Sequence, residues 1–166
     1  MQAVHAITDP VSDAQSAILD GNYGQAAELL RPDAERGNAR AQYILGNLYR
    51  AGWGVSQDER AAIRWYQLSA EQGDGDAQYI IGELYYKGQG ALQDFKKAAY
   101  WFRLSAEHGS GAPTPQYLLG TMYFKGEGVP QDYVIAHMWL NLAASNAIAI
   151  ETQCSTLKPV TRQRSQ

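Results

Sequence analysis

Apolar positions recur along most of this chain at helical spacing, and strict alternation is absent. In residues 39–51, Ala41, Ile44, Leu45 and Leu48 fall on one side, which predicts a helix there rather than a strand. Gly52 and Gly54 then break the pattern. Asp58 stands where its carboxylate can cap a second helix, whose inward surface is Ala61, Ala62, Trp65, Tyr66 and Ala70. Gly73 ends that helix, because glycine takes left-handed backbone geometry without a Cβ clash.

The same two-helix pattern returns. Gly46, Tyr49, Asp58, Trp65 and Ala70 are matched 36 residues later by Gly82, Tyr85, Asp94, Trp101 and Ala106. A further 38 residues on stand Gly120, Tyr123, Asp132, Trp139 and Ala144, the two extra residues falling in the turn-rich segment 109–115. Upstream, Ala26, Ala34 and Gly37 match Ala62, Ala70 and Gly73, while Asp13 to Leu19 supply a short, degenerate first half. The expected division is one domain over 1–150: a capping half repeat at 12–38, then repeats at 39–74, 75–110 and 113–147. A short cap, with a helix at about 147–156, and a mobile tail are expected across 151–166.

The recurring residues are read as packing residues. A mid-helix glycine costs roughly 1 kcal/mol relative to alanine. Gly46, Gly82 and Gly120 are tolerable if the paired helix approaches too closely for a Cβ, with Trp65, Trp101 and Trp139 filling the wider gaps between units. Tyr49, Tyr85 and Tyr123 belong to the same structural set, and Asp58, Asp94 and Asp132 are the recurring caps.

These elements resemble the Sel1-like repeats, relatives of the tetratricopeptide repeats. The resemblance rests on Ala41-Gln42-Tyr43, Leu45-Gly46, Tyr49, Gly52-Trp53-Gly54-Val55, Gln57-Asp58, Ala61, Trp65-Tyr66 and Ala70-Glu71-Gln72-Gly73, repeated in register in two further copies. It implies an all-α fold, an α/α solenoid of antiparallel helix pairs in a right-handed superhelix. It also implies an adaptor or scaffold for other proteins, of a kind widespread in bacteria, with no catalytic motif to carry over. Departures are Pro115 in place of Ala41 and Ala77, which a first helical turn accepts, and Ala91-Leu92 in place of Val129-Pro130.

Charge and chemistry narrow the function further. Fourteen Lys and Arg against seventeen Asp and Glu give a net charge of −3, which argues against a nucleic-acid partner. No run of eighteen apolar residues is present, so no membrane insertion is expected. The N-terminus has no basic region leading into an apolar run. A cytoplasmic location follows from the sequence as written, and a periplasmic or secreted one if a leader has been removed. Cys154 is the single cysteine, with no histidine near it in sequence, and His5, His108 and His137 are widely spaced. Equivalent carboxylates lie a whole unit apart, about 10 Å, beyond the separation of a glycosidase pair. The reading is therefore not an enzyme, with no cofactor and no metal site.

Binding is expected on the concave surface, where the first helices are read as turning positions 43, 47 and 50 away from the core. That stripe is Tyr43, Asn47 and Arg50 in repeat one, Tyr79, Glu83 and Tyr86 in repeat two, and Tyr117, Thr121 and Phe124 in repeat three. Aromatic rings beside Arg or Glu match the composition of binding hot spots. The partner is a protein or peptide. The alternatives are a structural or homodimerising element using the exposed terminal face, and a non-catalytic regulatory subunit of an enzyme complex.

Overall fold

The computed structural model describes residues 9–89, 92–108 and 112–156. Among them the chain forms eight helices and no strand: α1 (Pro10–Leu19), α2 (Tyr23–Glu35), α3 (Ala39–Ala51), α4 (Glu59–Glu71), α5 (Gly75–Lys87), α6 (Phe95–His108), α7 (Pro113–Lys125) and α8 (Tyr133–Thr156). Each helix packs on its neighbours in sequence, so antiparallel pairs stack into a solenoid. The pairs α3/α4, α5/α6 and α7/α8 are the three repeats, and the pair α1/α2 packs on α3.

Local chemistry repeats with the sequence. Asp58 Oδ1 accepts from the Ala61 amide at 3.0 Å, Asp94 Oδ1 from Lys97 at 3.0 Å, and Asp132 Oδ1 from Val134 and Ile135 at 2.9 and 3.0 Å. The aspartate beside each loop also ties backward, its amide donating to the carbonyl of Tyr49, Tyr85 or Tyr123 at 3.0 Å. The preceding glutamines close the other side. Gln57, Gln93 and Gln131 donate their side-chain amides to the carbonyls of Arg50, Tyr86 and Phe124 at 3.0, 2.9 and 2.8 Å. Those carbonyls belong to the last turn of a helix, where intrahelical donors run out. Gly52, Gly88 and Gly126 end the first helices at φ of 70°, 69° and 74°.

A Cβ on the mid-helix glycines would sit 2.8 Å from the Tyr66 ring at Gly46, 2.7 Å from the Phe102 ring at Gly82, and 2.8 Å from Leu140 Cγ at Gly120. The close approach expected there is present, and it is made by the residue just after each tryptophan. The tryptophans are half-buried and point back along the stack. Trp65 packs on the cluster of α1–α3, Trp101 on that of α4 and α5, and Trp139 on that of α6–α8.

Two expectations at the C-terminal end are modified. Pro113 to Pro115 form the first turn of α7, while Gly109 to Gly111 of the inserted segment lie outside the described residues. No separate cap forms at 147–156: α8 runs unbroken for 24 residues to Thr156, because Ala147 stands where Gly73 ends the equivalent helix. The tail expected after residue 156 lies outside the described residues.

Candidate functional site

The first helices carry their candidate stripe differently from the sequence expectation. Tyr43, Asn47 and Arg50 border the core, arranged around the ring of Tyr66. The Tyr43 and Tyr66 ring centroids are 6.1 Å apart, Tyr66 donates its hydroxyl to Asn47 Oδ1 at 2.8 Å, and the Arg50 guanidinium lies 5.8 Å from the same ring. Tyr66 is 1% exposed, so this face of α3 meets its own partner helix and the next unit. Burial pushes the Tyr66 hydroxyl up to about 12, Arg50 pulling down against it and Tyr43 adding slightly to the rise.

Repeat two follows the same plan. Tyr79 and Tyr86 lie 6.1 and 6.2 Å from the Phe102 ring, and Tyr86 also meets Phe95 edge-on at 5.3 Å. Burial, then Glu83, pushes the Tyr79 hydroxyl up to about 12. Tyr86 donates to Glu127 Oε2 at 3.2 Å, and burial and that carboxylate raise its hydroxyl as well, Lys125 opposing them. Glu83 is engaged by Lys87 at 2.8 Å. Tyr86 thus ties repeat two to repeat three, while Glu83 is held by Lys87 of its own helix and Tyr79 packs on Phe102 of its own repeat.

Repeat three departs from the other two. Thr121 donates to the carbonyl of Leu118 at 2.7 Å, Phe124 is exposed against Tyr133, and Tyr117 is 55% exposed. Of the nine stripe residues, Arg50, Tyr117 and Phe124 are the exposed ones.

An open groove of about 290 Å³ does lie along the first helices, between α1 and α3. Ile18, Ile44 and Leu48 supply apolar walls, with Asn47, Arg50 and Trp53 at its side. Trp53 is 51% exposed and its ring is 4.9 Å from that of Tyr23, the first residue of α2. Gly54 holds this loop against the start of α2: at φ 70° a Cβ there would lie 2.3 Å from the Tyr23 carbonyl carbon and the Gly24 nitrogen. Ile18 and Trp53 escaped the stripe reading. Trp53 carries a signal nonetheless, since the same register holds Gln89 and Glu127 in the other repeats.

No group of three or more His, Cys, Asp or Glu side chains among the described residues is placed to hold a metal ion, and no helix there is long and apolar enough to cross a membrane. His137 is exposed and shares a 3.0 Å hydrogen bond with Asn141.

The family model described as Sel1 repeat matches residues 39–74, 75–110 and 116–147. A protective antigen of uropathogenic Escherichia coli with an SLR fold is 36% identical over 82% of this chain, at a TM-score of 0.73. This chain spans 30% of that protein's length. A Sel1 repeat protein from Oxalobacter formigenes is 34% identical over 74% of this chain and 95% of its own, at a TM-score of 0.66. Cysteine rich protein B of Helicobacter pylori shares the fold at 20% identity and a TM-score of 0.53, covering 91% of this chain and 98% of that one. No curated protein matches the chain.

Proposed function

We propose that this chain, which belongs to the Sel1 repeat family, is a non-catalytic adaptor that binds a peptide or a protein segment along the side formed by its first helices. The observation that carries this reading is the groove between α1 and α3. It joins apolar walls to an exposed tryptophan and an exposed arginine, the residue types most enriched at binding hot spots. Asn47 already accepts from Tyr66, so the cation available to a ligand is Arg50. The preferred segment therefore carries a carboxylate beside a large apolar side chain. Phe124, exposed at the equivalent register of repeat three, extends the same side toward the C-terminal end.

Selection of displayed random peptides on the purified protein tests this. Wild type should enrich acidic–apolar sequences, and the Arg50→Glu, Trp53→Ala variant should lose them by at least tenfold in affinity, roughly 1.4 kcal/mol, with unchanged helicity. Equal enrichment on both proteins would remove the groove from the function. Tyr86 is kept out of the variant because it packs on Phe95 and Phe102.

A further inference from the structure

The second helices of the repeats turn an outer face to solvent, and its charges are sorted by end. On α4 the exposed residues Arg60, Arg64, Leu68 and Glu71 share one side at helical spacing, opposite the buried Ala62, Tyr66 and Ala70. The same registers of α6 hold Lys96, Tyr100, Leu104 and Glu107. Cations of this face therefore stand toward the start of both helices and its carboxylates at their ends. Glu59 and Lys97 are each turned about 100° away from the neighbouring cation of the face, and Lys97 is engaged by Asp94 and the Tyr85 ring.

This order opposes the helix dipole, which favours carboxylates in the first turn and cations in the last. Nothing inside the molecule offsets it. Arg60, Arg64, Lys96 and Glu107 make no ion pair among the described residues, and Glu71 accepts only from Gln67 of its own helix, at 3.1 Å. Arg36, Arg40, Lys87, Lys97 and Lys125, by contrast, each meet a carboxylate. The face also exposes apolar side chains, Leu68 on α4, Tyr100 on α6, and Val134, Met138 and Leu142 on α8. On α8 the registers of Arg60, Arg64 and Glu71 are taken by Val134, Met138 and Ser145, so this helix adds no charge.

We propose that this face pairs with itself, in a dimer whose two-fold axis runs at right angles to the second helices. Such an axis lays α4 and α6 antiparallel on α4 and α6 of a second copy. Passing α4 between Trp65 and Tyr66, it brings Arg60 opposite Glu71, and the 36-residue register then brings Lys96 opposite Glu107 and Tyr100 opposite Arg103. An axis parallel to the helices would set cations on cations, which charge repulsion opposes. The apolar side of α8 meets its own copy. Three helices about 10 Å apart and about 20 Å long present roughly 600 Å² per copy, about 1,200 Å² in all, the lower limit of a specific interface. The charge order selects the occupant: a wholly acidic or wholly basic partner matches only one end of the face, whereas a second copy matches both. Further repeats would stack on the ends of the solenoid, away from it. The dimer leaves the α1/α3 groove on the first-helix side open, so each proposal stands or falls alone.

Sedimentation velocity of the full chain over a concentration series tests this. Wild type should pass from monomer to dimer with a Kd of about 1–100 µM, the weak end for an interface of this size. Arg60→Glu with Lys96→Glu should raise the Kd at least tenfold, and Glu71→Lys with Glu107→Lys should do the same. An equimolar mixture of the two variants should regain a one-to-one dimer within threefold of wild type, because each end again meets its opposite. Misfolding cannot produce that recovery. Met138→Lys, at an exposed position, should weaken the wild-type and the mixed dimer alike by at least threefold, which separates docking from attraction between opposite net charges. A chain that stays monomeric to about 500 µM, a dimer that survives both reversals, or a mixture that fails to recover overturns the proposal.

Discussion

Tyr66 links packing, ionisation and the candidate stripe at one position. Its ring occupies the space a Cβ would need at Gly46, and its hydroxyl is held by Asn47. Alanine at Gly46 regains about 1 kcal/mol of helix propensity but overpacks a rigid, tethered ring, which costs about 1–3 kcal/mol. Gly120 faces Leu140, a half-buried side chain beside an open groove, and the Ala136 carbonyl oxygen, 3.2 Å from where a Cβ would stand. Gly46→Ala should therefore lower the urea midpoint more than Gly120→Ala, where only the backbone contact resists, and equal losses would refute the distinction. The tyrosines also set the alkaline limit. Tyr66 and Tyr79 keep their protons in the folded state to about pH 12, whereas an unfolded tyrosine releases its proton near pH 10. Between those values the unfolded chain binds fewer protons, so stability falls as pH rises; below about pH 10 the contribution is complete. Urea midpoints measured across that window should decline, and Tyr66→Phe should decline less steeply. A Tyr66→Phe slope equal to that of wild type would show that Tyr66 does not contribute.

The helices were legible because helix and repeat periods reinforce each other: Ala41, Ile44, Leu45 and Leu48 are all buried, as their spacing requires. Caps and stops at Asp58, Gly52 and Gly73 were equally plain, since each expresses a local rule about a helix end. The stripe at 43, 47 and 50 is only partly exposed for a physical reason. A solenoid helix has three neighbours, namely its partner, the unit before and the unit after. Spacing along one helix separates the apolar side from the rest but does not divide the remaining surface between the following unit and solvent. Tyr43 and Tyr79 therefore pack between clusters, and their counterpart Tyr117 is exposed at the end of the stack. Trp53 was missed because it sits in a glycine-flanked turn, outside any helical pattern. The unbroken α8 turned on one substitution, Ala147 for glycine, whose weight emerges only against the two copies that keep the turn.

Across the whole molecule, stability divides among successive junctions. One cluster gathers α1 to α3, a second α4 and α5, and a third α6 to α8, while Tyr43, Tyr49, Tyr79 and Tyr85 border two clusters apiece. Contacts run from neighbour to neighbour, so a loss at one junction is passed on step by step along the stack. Ile80, 7% exposed in the middle cluster, is the position that separates local from global response. Ile80→Ala removes buried methyl groups and costs about 2–4 kcal/mol. Native-state hydrogen exchange should show that loss concentrated in the amides of α4 and α5, with the amides around Leu119 and Met122 of α7 retaining most of their protection. A uniform drop from α1 to α8 would instead describe one cooperative block. In that case the end face of α7 and α8 could not be altered without disturbing the α1/α3 groove. Protection that falls off with distance from Ile80 leaves the α1/α3 groove unaffected by changes at the far end of the stack.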